Sequence, residues 1–216
     1  TRSLIRTVEP EVDGTTFTIA ASAYEVIDYQ FPATPTFVSS PGAGTNRGDS
    51  EAAFVCPIDE KIYILSKREP KPRVYSLPLQ SSYTGTQTLT YHGEIEGVEN
   101  MTSGPSSPNP LTNATEATLS PDFTKVLIKN YDKVFQYYRT DTTIPWTTVL
   151  TVSSPVEDEN YVGLGAGPGQ ESQGEAMTWD QSGNGYYTTT EYNGGGTLPL
   201  YYYPLSAAQA GVYIIR

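Results

Sequence analysis

Short apolar segments alternate with turns along the chain, and three stretches follow one common pattern. Each stretch has a small or polar residue, then Glu-Ala, an apolar run, a turn and a second apolar strand. The three copies begin at Ser50, Thr115 and Gly174. Apolar segments of this kind, separated by turn-forming residues, predict β-hairpins rather than helices. A repeated hairpin unit of about this length predicts an all-β propeller with one four-stranded blade per unit.

The repeat also sets the predicted blade boundaries within a single propeller domain, 1–216. Residues 49–113, 114–172 and 173–216 each predict one blade, and residues 1–48 predict the outer strands of a preceding blade without its inner strands. About three and a half blades are therefore present. An open ring leaves an unpaired apolar face. We therefore expect the remaining blades to come from a longer N-terminal part of the same polypeptide or from another extracellular chain.

Two details of the second unit complete this prediction. Its first three strands are followed by WTTVLTV, residues 146–152, which its β-branched residues predict as the outermost strand. Residues 153–172, which end in a glycine-rich stretch, are predicted as a long loop. That stretch lacks the Gly-Lys-Ser/Thr ending of a phosphate-binding loop.

Three glutamates occupy the same place in the three copies, at the start of the predicted innermost strand: Glu51, Glu116 and Glu175. Equivalent positions on innermost strands face a common axis, so these carboxylates are predicted to converge on a central channel. Like charges held together need a cation, a proton or a basic partner. One interpretation is a Ca²⁺ site, since calcium takes several oxygen ligands. The other is that Lys67 and Lys129, near the ends of the second strands, pair with the glutamates at the channel rim.

Glu191 is a further candidate residue at the channel. It ends the second strand of the third unit, in register with Lys67 if the repeat holds. It is either a fourth carboxylate of the channel rim or a surface residue. Both interpretations stay open at this point.

Composition narrows the classes of function. The net charge of −11 excludes an ordinary nucleic-acid binder, which needs clustered Lys and Arg. The sequence has no apolar run near the ~20 residues that span a bilayer, so membrane insertion is not expected. Sequons at Asn100 and Asn113 predict N-glycosylation and, with the acidic surface, a secreted protein. Cys56 is the single cysteine and is expected to be a small buried apolar side chain.

Several segments together resemble a family of secreted six-bladed β-propellers, largely uncharacterised and related to phytase-like and esterase-like propellers. The resemblance covers roughly residues 3–205 and lies in Arg6–Pro10, Asp49–Ala52, Tyr63–Lys67, Leu119–Asp122, Gln173–Ala176, Thr190–Glu191 and Pro199–Tyr203. It implies six blades in the complete ring and an axial calcium ion. The acidic Asp/Gly-rich segment that precedes the first landmark in the family is absent here, which favours a chain without its N-terminal blades.

These observations favour a secreted structural or binding module of an extracellular assembly over an enzyme. His92 is the sole histidine and lies in a predicted outer strand, so a Ser-His-Asp triad at the axis is not expected. The alternative is a calcium-dependent phosphoester or ester hydrolase that acts at the channel mouth. Such an enzyme needs basic side chains beside the metal, and the sequence supplies only 13 Lys and Arg in total.

Overall fold

The chain folds mostly into β-strands. The computed structural model of the protein describes residues 2–7, 24–36, 49–67, 69, 71–97, 114–161, 163, 171, 174–190 and 199–205. Within these ranges, 14 strands form four small sheets, and there is one short helix. The prediction of an all-β chain made of small repeated sheets is confirmed at this level.

The first two sheets are formed by the N-terminal half of the chain. In sheet I, β1 (Arg2–Thr7) pairs antiparallel with β2 (Tyr24–Gln30). Sheet II has the order β3-β4-β5-β7, and its neighbouring strands are antiparallel. Its strands are β3 (Asp49–Cys56), β4 (Lys61–Lys67), β5 (Arg73–Pro78) and β7 (Thr90–Glu94). The short β6 (Gln87–Thr88), between β5 and β7 in the chain, pairs parallel with β2 and so links the two sheets.

The other two sheets follow the same hairpin order. Sheet III has the order β11-β10-β9-β8, and sheet IV has the order β12-β13-β14. The strands of sheet III are β8 (Glu116–Leu119), β9 (Lys125–Lys129), β10 (Val134–Tyr138) and β11 (Val156–Glu157). Those of sheet IV are β12 (Gly174–Trp179), β13 (Gly185–Thr190) and β14 (Leu200–Pro204).

The four sheets are packed in chain order, with a separate apolar core between each pair of neighbours. Strand β4 shows how one sequence supplies two of these cores, because successive side chains of a strand point to opposite faces. Ile62 and Ile64 lie in the core shared with sheet I, whereas Tyr63 and Leu65 lie in the core shared with sheet III. A third core, which includes Leu127 and Trp179, joins sheets III and IV. This face-to-face stacking is consistent with successive propeller blades.

The first strands of sheets II, III and IV meet along one side of the stack. Strand β8 contacts both β3 and β12. These are the strands that carry the Glu-Ala copies, so the fold brings the three copies to neighbouring positions. Strands β4, β9 and β13 follow each copy and contain Tyr63, Ile128 and Tyr187, the residues twelve positions after each glutamate.

The predicted outermost strand of the second unit is wrong, because residues 146–152 form a helix, α1 (Trp146–Val152). Its buried residues are Trp146, Val149 and Leu150, at the i, i+3 and i+4 spacing of a helix face. They pack into the core between sheets II and III. The outermost strand is instead β11, which lies within the segment predicted as a loop. No helix in the described ranges has the length and apolar character needed to cross a membrane.

Candidate functional site

The three strands that carry the glutamates differ in how regularly they pair with the next strand. As a result, the three glutamate side chains do not all point the same way. Strand β3 is irregular between Ser50 and Ala53, and β12 is irregular between Gly174 and Ala176. Strand β8 pairs with β9 without interruption. An extra residue in one strand of a pair re-aims its side chains. The glutamates of β3 and β12 therefore share one environment, and the glutamate of β8 has another.

Lys67 lies at the centre of a cluster that joins sheets II, III and IV. Its ammonium group donates a hydrogen bond to the carboxylate of Glu51 and another to the hydroxyl of Tyr131, at 3.0 Å. The same nitrogen lies 3.8 Å from Oε1 of Glu175, which accepts a hydrogen bond of 2.7 Å from the Tyr131 hydroxyl. Lys67 also lies over the Tyr131 ring, 5.2 Å from its centroid. We call these four residues the Lys67 cluster.

The two carboxylates of the Lys67 cluster are partly exposed to solvent, whereas the lysine side chain is buried. The Lys67 side chain is 1% exposed, whereas those of Glu51 and Glu175 are 36% and 31% exposed. A buried ammonium group is costly unless it is paired, so the two carboxylates and the tyrosine hydroxyl together make its position tenable. One cation from sheet II thereby offsets an anion from its own sheet and an anion from sheet IV.

Tyr131 belongs to this cluster although sequence reasoning did not select it. It follows the first residue of β9, Lys125, by the same number of residues as Lys67 follows Lys61 in β4. The β3–β4 and β8–β9 hairpins close at equivalent positions. Cys56 lies opposite Lys61 in the first hairpin, and the amide of Ser120 donates to the carbonyl of Lys125 in the second. Counting from the hairpin turns would have placed Tyr131 beside Lys67.

Lys129 has a different setting, inside the core between sheets III and IV. Its ammonium group lies 3.0 Å from Oε2 of Glu171, and both side chains are 0% exposed. Glu171 also accepts hydrogen bonds from the hydroxyls of Thr188 and Tyr161. Burial lowers the pKa of Lys129, and the adjacent Glu171 opposes that shift. The partner of Lys129 is therefore a residue of the predicted glycine-rich loop, which the sequence did not single out.

Glu116 lies apart from the Lys67 cluster, at the edge of a cleft on sheet IV. Its Oε1 accepts a hydrogen bond of 2.9 Å from the amide of Ala117. Burial raises the pKa of the Glu116 carboxyl to about 7, although this amide and the charge of Lys129 act in the opposite direction. The cleft has a volume of about 150 Å³ and is lined by Glu116, Ala176, Met177, Thr178, Tyr187, Thr188, Thr189 and Leu200.

Two of the three predicted channel carboxylates, Glu51 and Glu175, have an ammonium partner in the described part of the chain. Lys67 already lies between Glu51 and Glu175. Calcium needs several converging oxygen ligands, and in the parts of the chain that the structure describes, no group of three or more His, Cys, Asp or Glu is placed to hold a metal. The channel calcium stays a prediction. Glu191 and the sequon residues Asn100 and Asn113 lie outside the described residues.

Comparison with known proteins gives little similarity. Neither the protein-family models nor the curated proteins contain a match to this chain. Among solved structures, the crystal structure of TolB from Acinetobacter baumannii is a distant match, with a TM-score of 0.38 and 15% sequence identity over 71% of this chain. The chain spans 29% of that TolB chain. What the site does must therefore be inferred from the contacts of its own side chains.

Proposed function

We propose that this protein is a secreted β-propeller module, six-bladed when its ring is complete, that supports or binds other extracellular chains. The observation that carries the proposal is the Lys67 cluster. The side chains nearest the predicted axis are bound to one another across three sheets, through Lys67, Tyr131 and two glutamates. Contacts of this kind fix the relative position of neighbouring sheets, as a rigid platform requires.

The same contacts favour a module over the alternative hydrolase. A hydrolase acting on a phosphoester needs cations that are free to hold the phosphate oxygens. Lys67 and Lys129 each have a carboxylate partner within 4 Å. The sole histidine, His92, lies in the outermost strand of sheet II and is hydrogen-bonded to Ser76 at 2.7 Å. It is therefore far from the strands that carry the glutamates.

The two end sheets support the part of the proposal that concerns further blades. On sheet I, Ile5 and Val26 are cross-strand partners and are 70% and 50% exposed. On sheet IV, Leu200 and Tyr202 are 70% and 44% exposed. Exposed apolar patches mark surfaces that another element covers. We propose that blades of the same polypeptide, or of another extracellular chain, cover these two faces and close the ring.

Turnover assays distinguish the module from the hydrolase. We expect the wild-type protein to hydrolyse neither p-nitrophenyl phosphate nor p-nitrophenyl acetate above the buffer rate, with or without millimolar CaCl₂. The reason is that, among the described residues, Lys67 and Lys129 are each bound to a carboxylate, so neither ammonium group is available to hold a phosphate or ester oxygen. The measurement is the release of p-nitrophenol over several hours at pH 5 to 8, with the same assays on Glu51→Gln and Glu175→Gln.

A calcium-dependent rate that both substitutions abolish would refute the module and establish the hydrolase. A rate that survives both substitutions in the purified protein would place an activity away from Glu51 and Glu175, and it would also count against the module. Thermal unfolding of the same three proteins, with CaCl₂ or EDTA, adds a second readout. Equal melting temperatures in the two media support the ammonium-based cluster, and a rise with CaCl₂ that Glu175→Gln removes would support the calcium site.

A further inference from the structure

His92 occupies an irregular position in the outermost strand of sheet II. Tyr91 and Gly93 pair with consecutive residues of β5, so His92 is the extra residue of β7 at this point. An extra residue of this kind turns its side chain away from the regular alternation. The His92 ring is thereby brought to β5, where its Nε2 lies 2.7 Å from the hydroxyl oxygen of Ser76. Ser76 is 3% exposed, so the ring is held in a largely buried place.

The His92 ring lies on the face of sheet II that packs against α1. On β5, Val74 belongs to the core that contains the buried residues of α1. Ser76 points to the same side, because it follows Val74 by two residues along the strand. Lys61 lies on this face as well, two residues before Tyr63, which belongs to the same core. The helix contacts both β5 and β7, so a histidine and a lysine share the face that carries it.

Helix α1 needs these tertiary contacts to stay in place. It has only seven residues, and isolated helices shorter than about 12 residues are marginal in water. Among the described residues, no side chain caps its N-terminus, where Pro145 stands. Its first turn has no acidic residue and its last turn no basic one, so neither end gains from the helix dipole. The helix therefore depends on its packing against sheets II and III.

The last turn of α1 touches the chain immediately after His92. The carbonyl of Leu150 accepts a hydrogen bond of 2.9 Å from the amide of Glu96. Gly93 lies so close to Thr151 that a Cβ atom on this glycine would be 2.8 Å from Cγ2 of the threonine. A movement of β7 at His92 would therefore be transmitted directly to the end of the helix.

The surroundings of His92 suit a neutral ring and oppose a charged one. Burial lowers the pKa of His92, and the positive charge of Lys61 lowers it further. Of the described charged groups, Lys61 is the one that acts on the ring. Ser76 is uncharged, and α1 has no ionisable side chain. A proton on the ring would therefore add a second positive charge to a partly buried place that already has one.

The other ionisable groups of the neighbouring elements do not offset this charge. On β7, the carboxylate of Glu94 lies 3.8 Å from the guanidinium of Arg73. In the turn before β4, Asp59 is bound to Arg139, at 2.8 Å. The tyrosines of these strands are uncharged near neutral pH: Tyr63, Tyr75 and Tyr91. In the described part of the chain, the carboxylates near this face thus already have cationic partners.

We propose that protonation of His92 loosens α1 from sheet II, so that the helix is seated at neutral pH and leaves its place as the medium becomes acidic. The charged ring regains water when an element packed beside it moves away, and α1 is the element with the least support of its own. Its movement uncovers Trp146, Val149 and Leu150, which are buried in the seated state. The proposal goes beyond the module function and uses neither end face, because the helix packs between sheets II and III.

The test follows the ring and the helix in the same samples of the full chain between pH 8 and pH 5. His92 is the sole histidine, so its imidazole signals in NMR spectra report one titration, expected with a pKa below the ordinary value of 6.5. Hydrogen exchange reports the helix through the amides of Val149 and Ser153, which bond to carbonyls of Pro145 and Val149. As the pH falls below 6.5, their protection factors should decrease by several-fold to about tenfold per unit until the ring is fully charged.

Two variants assign this pH dependence to His92. His92→Gln cannot titrate, so the protection of its α1 amides should not change with pH. It retains the Glu116 carboxyl, which has a pKa of about 7, so an effect of that group would persist in this variant. Lys61→Gln removes the neighbouring positive charge, and the protection should then fall over a narrower pH range, because burial alone lowers the pKa of His92.

An amide of sheet IV separates a local movement of α1 from a general loss of stability. The amide of Asp180 bonds to the carbonyl of Gly185, at 2.9 Å, and its protection should not follow the titration of His92. Circular dichroism checks that each variant is folded, and the wild-type measurements stand without the variants. The proposal would be overturned by α1 protection that does not depend on pH, by an equal fall at Asp180 or in folded His92→Gln, or by an imidazole that titrates at or above pH 6.5.

Discussion

Replacing Lys129 with methionine is expected to lower the free energy of unfolding by about 3–5 kcal/mol, the cost of leaving a buried charge without its partner. Glu171 is fully buried, and its carboxylate lies 3.0 Å from the Lys129 ammonium. Methionine has a similar length and an apolar end, so the change removes the positive charge without opening a large cavity. Equilibrium unfolding in urea at pH 7, followed by tryptophan fluorescence, measures the loss.

An exposed ion pair of the same sheet provides the matched control. Lys133 lies 2.7 Å from Glu157, and their side chains are 26% and 44% exposed. Exposed pairs contribute roughly 0–1 kcal/mol, so Lys133→Met should change stability little. The double variant Lys129→Met with Glu171→Gln should be more stable than Lys129→Met alone, because no charge is then left buried. If Lys129→Met cost no more than Lys133→Met, the buried pair would not hold sheets III and IV together.

Much of the fold was predictable from the sequence, because strands that are buried on both faces contain runs of consecutive apolar residues between turns. Strand β4 is buried at six of its seven positions, and the alternate side chains of its four consecutive apolar residues fill the cores on either side of sheet II. The turn residues Asp59 and Asp122 also mark where hairpins reverse, and each makes hydrogen bonds within or across its turn region. The pattern of strands, turns and stacked sheets therefore follows from local sequence.

The helix α1 was missed because its sequence satisfies two patterns. Its β-branched residues favour a strand, whereas Trp146, Val149 and Leu150 have the spacing of a helix face. Tertiary contacts decide between them. The amide of Trp146 donates to Asp59, at 2.9 Å, and the ring packs edge-on against Phe54 of sheet II. These contacts come from residues about ninety positions earlier, so no local window contains them.

The candidate site was only partly predictable, for a similar reason. The three Glu-Ala copies correctly identified three neighbouring strands. They did not reveal the irregular pairing in β3 and β12, which separates Glu51 and Glu175 from Glu116. A one-residue bulge changes where a side chain points. It lies so close to the start of β3 and of β12 that too few residues precede it for the sequence to show a shift in alternation. The sequence thus locates the carboxylates but does not say which of them share a cation.

Glu116 shows what this separation does to a carboxyl group. Without the close ammonium partner that Lys67 gives Glu51, burial is the larger influence on its ionisation, and it raises the pKa of the carboxyl from 4.5 to about 7. A group whose pKa is higher in the folded state than in the unfolded chain binds its proton more tightly when folded. Its contribution to stability is therefore complete below about pH 4.5 and is lost as the pH rises through about 7.

Replacing Glu116 with glutamine should therefore stabilise the protein at high pH and leave it unchanged at low pH. Glutamine resembles the protonated carboxyl and can still accept the hydrogen bond from Ala117. At pH 8 the gain is expected to be on the order of 3 kcal/mol, from about 1.4 kcal/mol per pKa unit, and it should vanish near pH 4. Urea unfolding of the wild type, Glu116→Gln and the exposed control Glu159→Gln at pH 4, 6 and 8 measures the free energy of unfolding of each protein. The other titrating groups are common to all three proteins, so their contributions cancel in the difference from the wild type. A gain that is the same at all three pH values, or a loss at pH 8, would show that the Glu116 carboxyl is not held in its protonated form by burial.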